Sequence, residues 1–288
     1  MIDQTIMVNG IKITPFFYGT AWKEDQTIDL VKNALNHGFR GIDTANQRKH
    51  YNEAKVGDAI GEIIKSGLLT RNDLFIQTKF TFLRGQDHRL PYDPKAKVSE
   101  QVKQSFALSL EHLKTNFIDS YILHGPTTQA GLSIDDWQAW RAMENLFSGG
   151  QVHTIGISNI NLYQLQTLSK NAYIMPHFVQ NRCFASQRWD YQVRNFCKAN
   201  NIRYQGFSIL TANQKIISHR EVTRIAKHHG RTLNQIIFRF AIDIGIIPIT
   251  GTSNSVHMDE DLDVFNFRLD PKDLEIIEIL GLTENKNY

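Results

Sequence analysis

Short apolar runs recur along this chain, and each is followed by a stretch whose apolar residues fall at helical spacing. The runs are FFYGTA, FRGIDTA, DLFIQTKF, FIDSYILHGP, VHTIGISN, HFVQNRC, IRYQGFSIL and GIIPITG. The intervening stretches include TIDLVKNALNHG, NEAKVGDAIGEIIKSG, KAKVSEQVKQSFALSLEHLK, IDDWQAWRAMENLFSGG, NLYQLQTLSKNA, WDYQVRNFCKANN, REVTRIAKHHG with LNQIIFRFAIDIG, and SVHMDEDLDVF with PKDLEIIEILG. Short continuous apolar runs read as strands buried on both faces; the 3.6-residue period reads as helix. Gly38 and Gly67 read as helix stops. Strand-then-helix alternation predicts a parallel sheet, and eight units favour closure into a barrel over an open sheet. Ahead of the first unit, TIMVNGIKITPF places Asn9-Gly10 between two apolar-polar segments, a hairpin signal. Such a hairpin is expected to close the barrel bottom. The expected fold is therefore α/β: a single (β/α)8 TIM barrel over residues 1–288, with an N-terminal β-hairpin. No G-x-G-x-x-G follows a strand, which counts against a Rossmann domain.

Polar residues interrupt this pattern where it matters most. Asp43, Lys79 and His124 stand at the ends of successive strands, and Tyr51 follows Asp43 closely. In a parallel barrel, side chains at the C-terminal strand ends converge on the face where chemistry takes place. A phenol near pKa 10 is a weak acid at neutral pH unless a nearby ammonium favours its anion. Lys79 is the candidate ammonium. Its position inside an apolar run calls for a compensating carboxylate, and Asp43 is the candidate. An Asp–Lys–Tyr chain would let Tyr51 protonate a developing alkoxide, or deprotonate an alcohol in reverse. His124 could orient the same oxygen. Read singly, each has a plainer role: Asp43 as a helix cap, Lys79 as a snorkelling lysine, His124 as a structural histidine.

Composition narrows the field. Charged residues make up 21%, hydrophobic residues 41%, and the net charge is +3, so a folded globule is expected, without a charge argument for nucleic acid or membrane partners. The two cysteines, Cys183 and Cys197, form no CxxC pair, so no metal site is expected and buried thiols without a role are. The first residues lack a basic start and an apolar core, and no apolar run approaches bilayer length, so a cytoplasmic location is expected.

None of the four polar groups supplies a hydride; a nicotinamide usually does. Candidate cofactor contacts at later strand ends are Ser158 and Asn159 in IGISN, Gln180 in FVQN, and Phe207, which could stack on the ring. Ser208 and Leu210 complete that strand end. The stretch Gly251, Thr252, Ser253, Asn254 runs into a helix, whose N-terminal amides would face a phosphate.

GTAW, GFRGIDTA, YNEAKVGDAI, QTKF, YILHGP, GISN, VQN and GTSN occur in the order found in the aldo-keto reductase family, which the chain resembles over nearly its whole length. The resemblance implies reduction of a small aldehyde or ketone to an alcohol. Tyr51 would be the acid, Lys79 and Asp43 would lower its pKa, and His124 would orient the carbonyl. Ser158, Asn159 and Gln180 would hold the nicotinamide amide, Phe207 would stack on the ring, and Trp22 would line the pocket. The cofactor implied is NADP, with NAD as the alternative. A nicotinamide-binding redox sensor with negligible turnover is the second functional reading.

Three departures from the family stand out. Tyr51 lies eight residues after Asp43, a longer spacing than usual, and QRKHY reads as a short insertion. In it, Arg48 and His50 are expected to face solvent. The usual Lys and Arg that read the cofactor's 2′-phosphate are replaced by Gly251 and His257. The segment after the last helix, LTENKNY, is short, which implies an open substrate pocket.

Overall fold

The computed structural model of the protein describes residues 5–283. The Asn9-Gly10 hairpin is present: β1 (Ile6–Val8) pairs antiparallel with β2 (Ile11–Ile13). Asn9 and Gly10 have φ of 47° and 79°, the positive values a tight two-residue hairpin turn demands.

Eight parallel strands then close on themselves. They are β3 (Phe17–Gly19), β4 (Gly41–Asp43), β5 (Phe75–Phe80), β6 (Ile118–Leu123), β7 (Val152–Ser158), β8 (Phe178–Arg182), β9 (Arg203–Phe207) and β10 (Ile246–Thr250). The closing pair, β10 with β3, sets Ile249 against Phe17 and Thr250 against Tyr18. The surrounding helices are α1 (Thr27–Asn36), α2 (Glu53–Lys65), α3 (Val98–Leu113), α4 (Ile134–Ser148), α5 (Leu162–Asn171) and α6 (Tyr191–Ala199). They continue with α7 (Gln214–Ile217), α8 (Arg220–His229), α9 (Leu233–Asp243), α10 (Ser255–Asp263) and α11 (Pro271–Thr283). Each apolar run of the sequence is a barrel strand. Serine, asparagine or threonine opens α4, α5 and α9 in capping boxes with Asp136, Gln164 and Gln235. Gly57 lets α2 approach α3 closely: a Cβ there would lie 1.9 Å from the His112 carbonyl oxygen.

Two local readings change. α6 starts later than WDYQV implies, because Arg188, Trp189 and Asp190 all adopt left-handed backbone and bury the Trp189 ring first. α7 was not expected, since four residues are too few to display a period. Residues 284–288 of the short tail lie outside the described residues. Among the described residues, no helix is long and apolar enough to cross a membrane.

The barrel interior is layered. At the strand starts, Phe17, Phe75 and Phe178 meet edge to face, with ring centroids 5.5 and 5.9 Å apart. Ile122, Ile247 and Ile249 pack with them, and Val8 and Ile13 of the hairpin cover this end. Above that apolar layer, the interior becomes polar.

Candidate active site

β4 ends on Asp43, which pairs in register with Gln77 on β5; Lys79 follows two residues later and so shares the inward face. The Lys79 ammonium lies 2.7 Å from both Asp43 carboxylate oxygens and donates to the Thr44 carbonyl at 2.8 Å. These three contacts engage all of its N–H donors. The side chains are 1% and 5% exposed, so this is a buried ion pair. Burial lowers the Lys79 pKa, and the Asp43 charge and hydrogen bond oppose that.

Asp43 rests on a glutamine network. Its Oδ1 also accepts from Gln77 Nε2 at 2.7 Å and Gln180 Nε2 at 3.0 Å. Gln205 Oε1 accepts from both of those amides, and Gln205 Nε2 donates back to Gln77 at 3.0 Å. Gln77 and Gln205 carry no signal in the sequence. Each is a polar interruption in an apolar run, visible only if polar residues at inward strand positions are taken as meaningful. Gln180, expected on the cofactor, has its amide nitrogen committed to Asp43 and Gln205.

The insertion forms a turn that keeps Tyr51 at the same end. The Tyr51 and His50 amides both donate to the Gln47 carbonyl, and Asn52 then caps α2. The Tyr51 ring centroid is 5.2 Å from Lys79 Nζ and 6.1 Å from the His124 ring. All four residues of the expected set are therefore gathered. The expected acidification of Tyr51 is not found. Burial raises its pKa, the Asp43 charge adds to the rise, and the Lys79 donors are already occupied.

His124 follows β6, and its amide donates to the Phe80 carbonyl. Its Nδ1 lies 2.6 Å from the Thr81 hydroxyl. Burial, then the Lys79 and His50 charges, lower the imidazole pKa to about 3, so the ring is neutral at pH 7. Thr81 is a third residue that the sequence did not signal.

Asn159 takes left-handed backbone after β7; its side-chain amide donates to the His124 carbonyl at 2.8 Å and to Ser158 Oγ at 3.1 Å. Phe207 is half-buried at the end of β9, Ser208 is left-handed, and Leu210 packs on the core. After β10, Gly251, Ser253 and Asn254 are exposed and Thr252 is partly so. Asn254 caps α10 by accepting from the Val256 amide, and His257 is exposed in the first turn. The Lys23 ammonium, just after GTAW, donates to the Gly251 carbonyl and brings a cation to this segment. These groups fit a nicotinamide dinucleotide: a partly open aromatic ring and amide side chains at the barrel mouth, with a helix N-terminus and an ammonium beside it.

Trp22 is 68% exposed and stacks on His50, with ring centroids 4.1 Å apart. His50 is therefore engaged rather than free in solvent, whereas Arg48 is exposed. A cleft of about 720 Å³ opens beside His124, lined by Thr81, Arg84, Gln129 and Asn159 among others. Tyr51 lines a neighbouring cleft of about 280 Å³, and Gln47 is common to both. Cys183 and Cys197 are free and buried, their thiols pushed up to about 12, chiefly by burial.

Comparison with known proteins agrees with this architecture. The chain is 30% identical to the glyoxal reductase of Bacillus subtilis over 98% of its own length and 94% of that protein's. It is 29% identical to a methylglyoxal reductase of Escherichia coli, covering 91% of this chain and 86% of the relative. The crystal structure of an aldo/keto reductase from Brucella melitensis superposes with a TM-score of 0.80 at 28% identity, covering 96% of this chain and 98% of that one. A Bombyx mori aldo-keto reductase in complex with NADP gives 0.80 at 25% identity, covering 99% and 97%. The aldo/keto reductase family model matches residues 16–281, and this chain belongs to that family.

Proposed function

We propose that the protein reduces a small aldehyde or ketone to an alcohol with NADPH, and that Tyr51 is the general acid. The observation that carries the proposal is the buried Asp43–Lys79 pair beneath the Tyr51 ring, with the neutral His124 beside it. A bound reduced nicotinamide would supply the hydride. The family, and the NADP complex of the Bombyx mori relative, support that choice of cofactor.

The protein's own groups would divide the remaining work. Ser158, Asn159 and Phe207 would hold and face the nicotinamide. Gly251 to Asn254, the α10 N-terminus, His257 and Lys23 would receive phosphates. Tyr51 would give its proton to the carbonyl oxygen as hydride arrives at carbon. The phenol is protonated at pH 7, as reduction requires, and burial favours that form. With the Thr81 hydroxyl donating to Nδ1, His124 would carry its proton on Nε2 and donate it as a hydrogen bond to the same oxygen. Gln180 would act through Asp43. We place the protein in the cytoplasm.

The test is a fluorescence titration of NADPH against NADH, followed by turnover of an aldehyde and ketone panel with the preferred cofactor. Saturable carbonyl-dependent oxidation of the cofactor is the expected result. Tight binding with no turnover across the panel would return the chain to the sensor reading.

A further inference from the structure

The cleft beside His124 has an uneven charge. Its lining includes Arg84 and no carboxylate. Arg84 is exposed and makes no hydrogen bond, ion pair or ring contact with a described residue. The neighbouring cations differ: Arg89 is paired with Asp87, and Arg48 donates to the Tyr51 carbonyl. The Arg84 backbone is nonetheless fixed. It sits in the 3-10 turn Leu83–Gly85, and the Gly85 amide donates to the Phe82 carbonyl at 2.8 Å. The Gly85 carbonyl accepts from Gln47 Nε2 at 2.6 Å, which ties the turn to the inserted segment. Gly85 also lies against Thr81, since a Cβ there would come 2.6 Å from Thr81 Cγ2. Thr81 in turn bonds His124. A pinned turn therefore holds a free guanidinium on the wall of the cleft that His124 lines.

We infer that Arg84 is a substrate-binding residue that selects carbonyl compounds bearing a carboxylate. A guanidinium presents paired donors matched to a carboxylate, and a cleft without acidic groups leaves that attraction unopposed. Neutral His124 and protonated Tyr51 add no competing charge at the carbonyl end. This inference rests on the carbonyl-reductase reading of the same site.

The test compares kcat/KM for succinic semialdehyde and for butanal, two aldehydes of equal chain length that differ in the carboxylate. The native protein is expected to favour the anion by about tenfold or more, the scale of one charge-assisted contact. Arg84→Gln should reduce that ratio by about the same factor, Arg84→Lys should keep part of it, and added salt should diminish it. A ratio near one in the native protein, or one unmoved by Arg84→Gln, overturns the inference. Calorimetric titration with succinate reads the same contact without turnover: binding by the native protein that Arg84→Gln loses supports it, and no binding contradicts it. Turnover of neither aldehyde, with succinate still bound through Arg84, would instead remove the reductase reading.

Discussion

The two ends of the barrel are built from the same eight strands but from opposite chemistry. Where the strands begin, Phe17, Phe75 and Phe178 interlock and the hairpin covers them with Val8 and Ile13. Where they finish, Asp43, Lys79, Gln77, Gln180 and Gln205 form a buried polar network. The lower layer removes apolar surface from water and so drives folding. The upper layer has no such effect, because desolvating an ion pair costs about what the attraction returns. In parallel barrels, residues at strand starts serve stability and those at strand ends serve chemistry. On the proposed function, the upper layer is machinery that the lower layer stabilises.

Substitutions in the two layers should break differently. Lys79→Met leaves Asp43 buried without its cation, and is expected to abolish turnover and to cost about 3 to 5 kcal/mol in urea unfolding. Asp43→Asn combined with Lys79→Met removes both charges and keeps an Oδ1 that can accept from Gln77 and Gln180, so it should regain part of that stability while turnover stays lost. If the double substitution stays as unstable as Lys79→Met, the polar layer is structural after all. At the other end, Phe178→Ala should also destabilise by about 3 to 5 kcal/mol. Turnover per folded molecule should nevertheless stay within about twofold, the scale of a site left geometrically intact. A large loss of turnover in that variant would show that the layers are coupled.

A smaller effect sharpens the comparison through pH. His124 has a folded pKa lowered to about 3 from an ordinary 6.5. Above 6.5 both folded and unfolded chains hold it neutral, and it contributes no pH dependence. As pH falls below that value, the unfolded chain binds a proton that the folded chain refuses, so stability declines toward pH 3. Replacing His124 with Leu should flatten the decline between pH 6 and pH 4. An unchanged slope would place the acid sensitivity elsewhere.

How much of this could be read from residues alone depended on range. The strands, the hairpin and the positions of Asp43, Lys79 and His124 follow from local pattern, because an apolar run and its polar end are adjacent in sequence. Tyr51 was legible despite the insertion because the helix after it keeps its period. Gln77 and Gln205 were not: they lie 128 residues apart and acquire meaning only when the barrel closes. Thr81 depends on a neighbour 43 residues away. The Tyr51 pKa failed for a different reason. Sequence shows that an ammonium is available, but not that Asp43 and the Thr44 carbonyl have taken its donors. Trp22 was expected in a pocket, and its partner His50 came from the insertion itself.

The proposed reaction turns on the Tyr51 hydroxyl as the proton donor. Tyr51→Phe removes one oxygen from a half-buried ring and leaves the remaining residues in place. Measured side by side, kcat for an aldehyde should fall by at least about a thousandfold, the combined loss of the proton donor and of its hydrogen bond to the oxygen. NADPH affinity, read by fluorescence, should be nearly unchanged. Turnover of the variant at the native rate would show that the proton comes from another group.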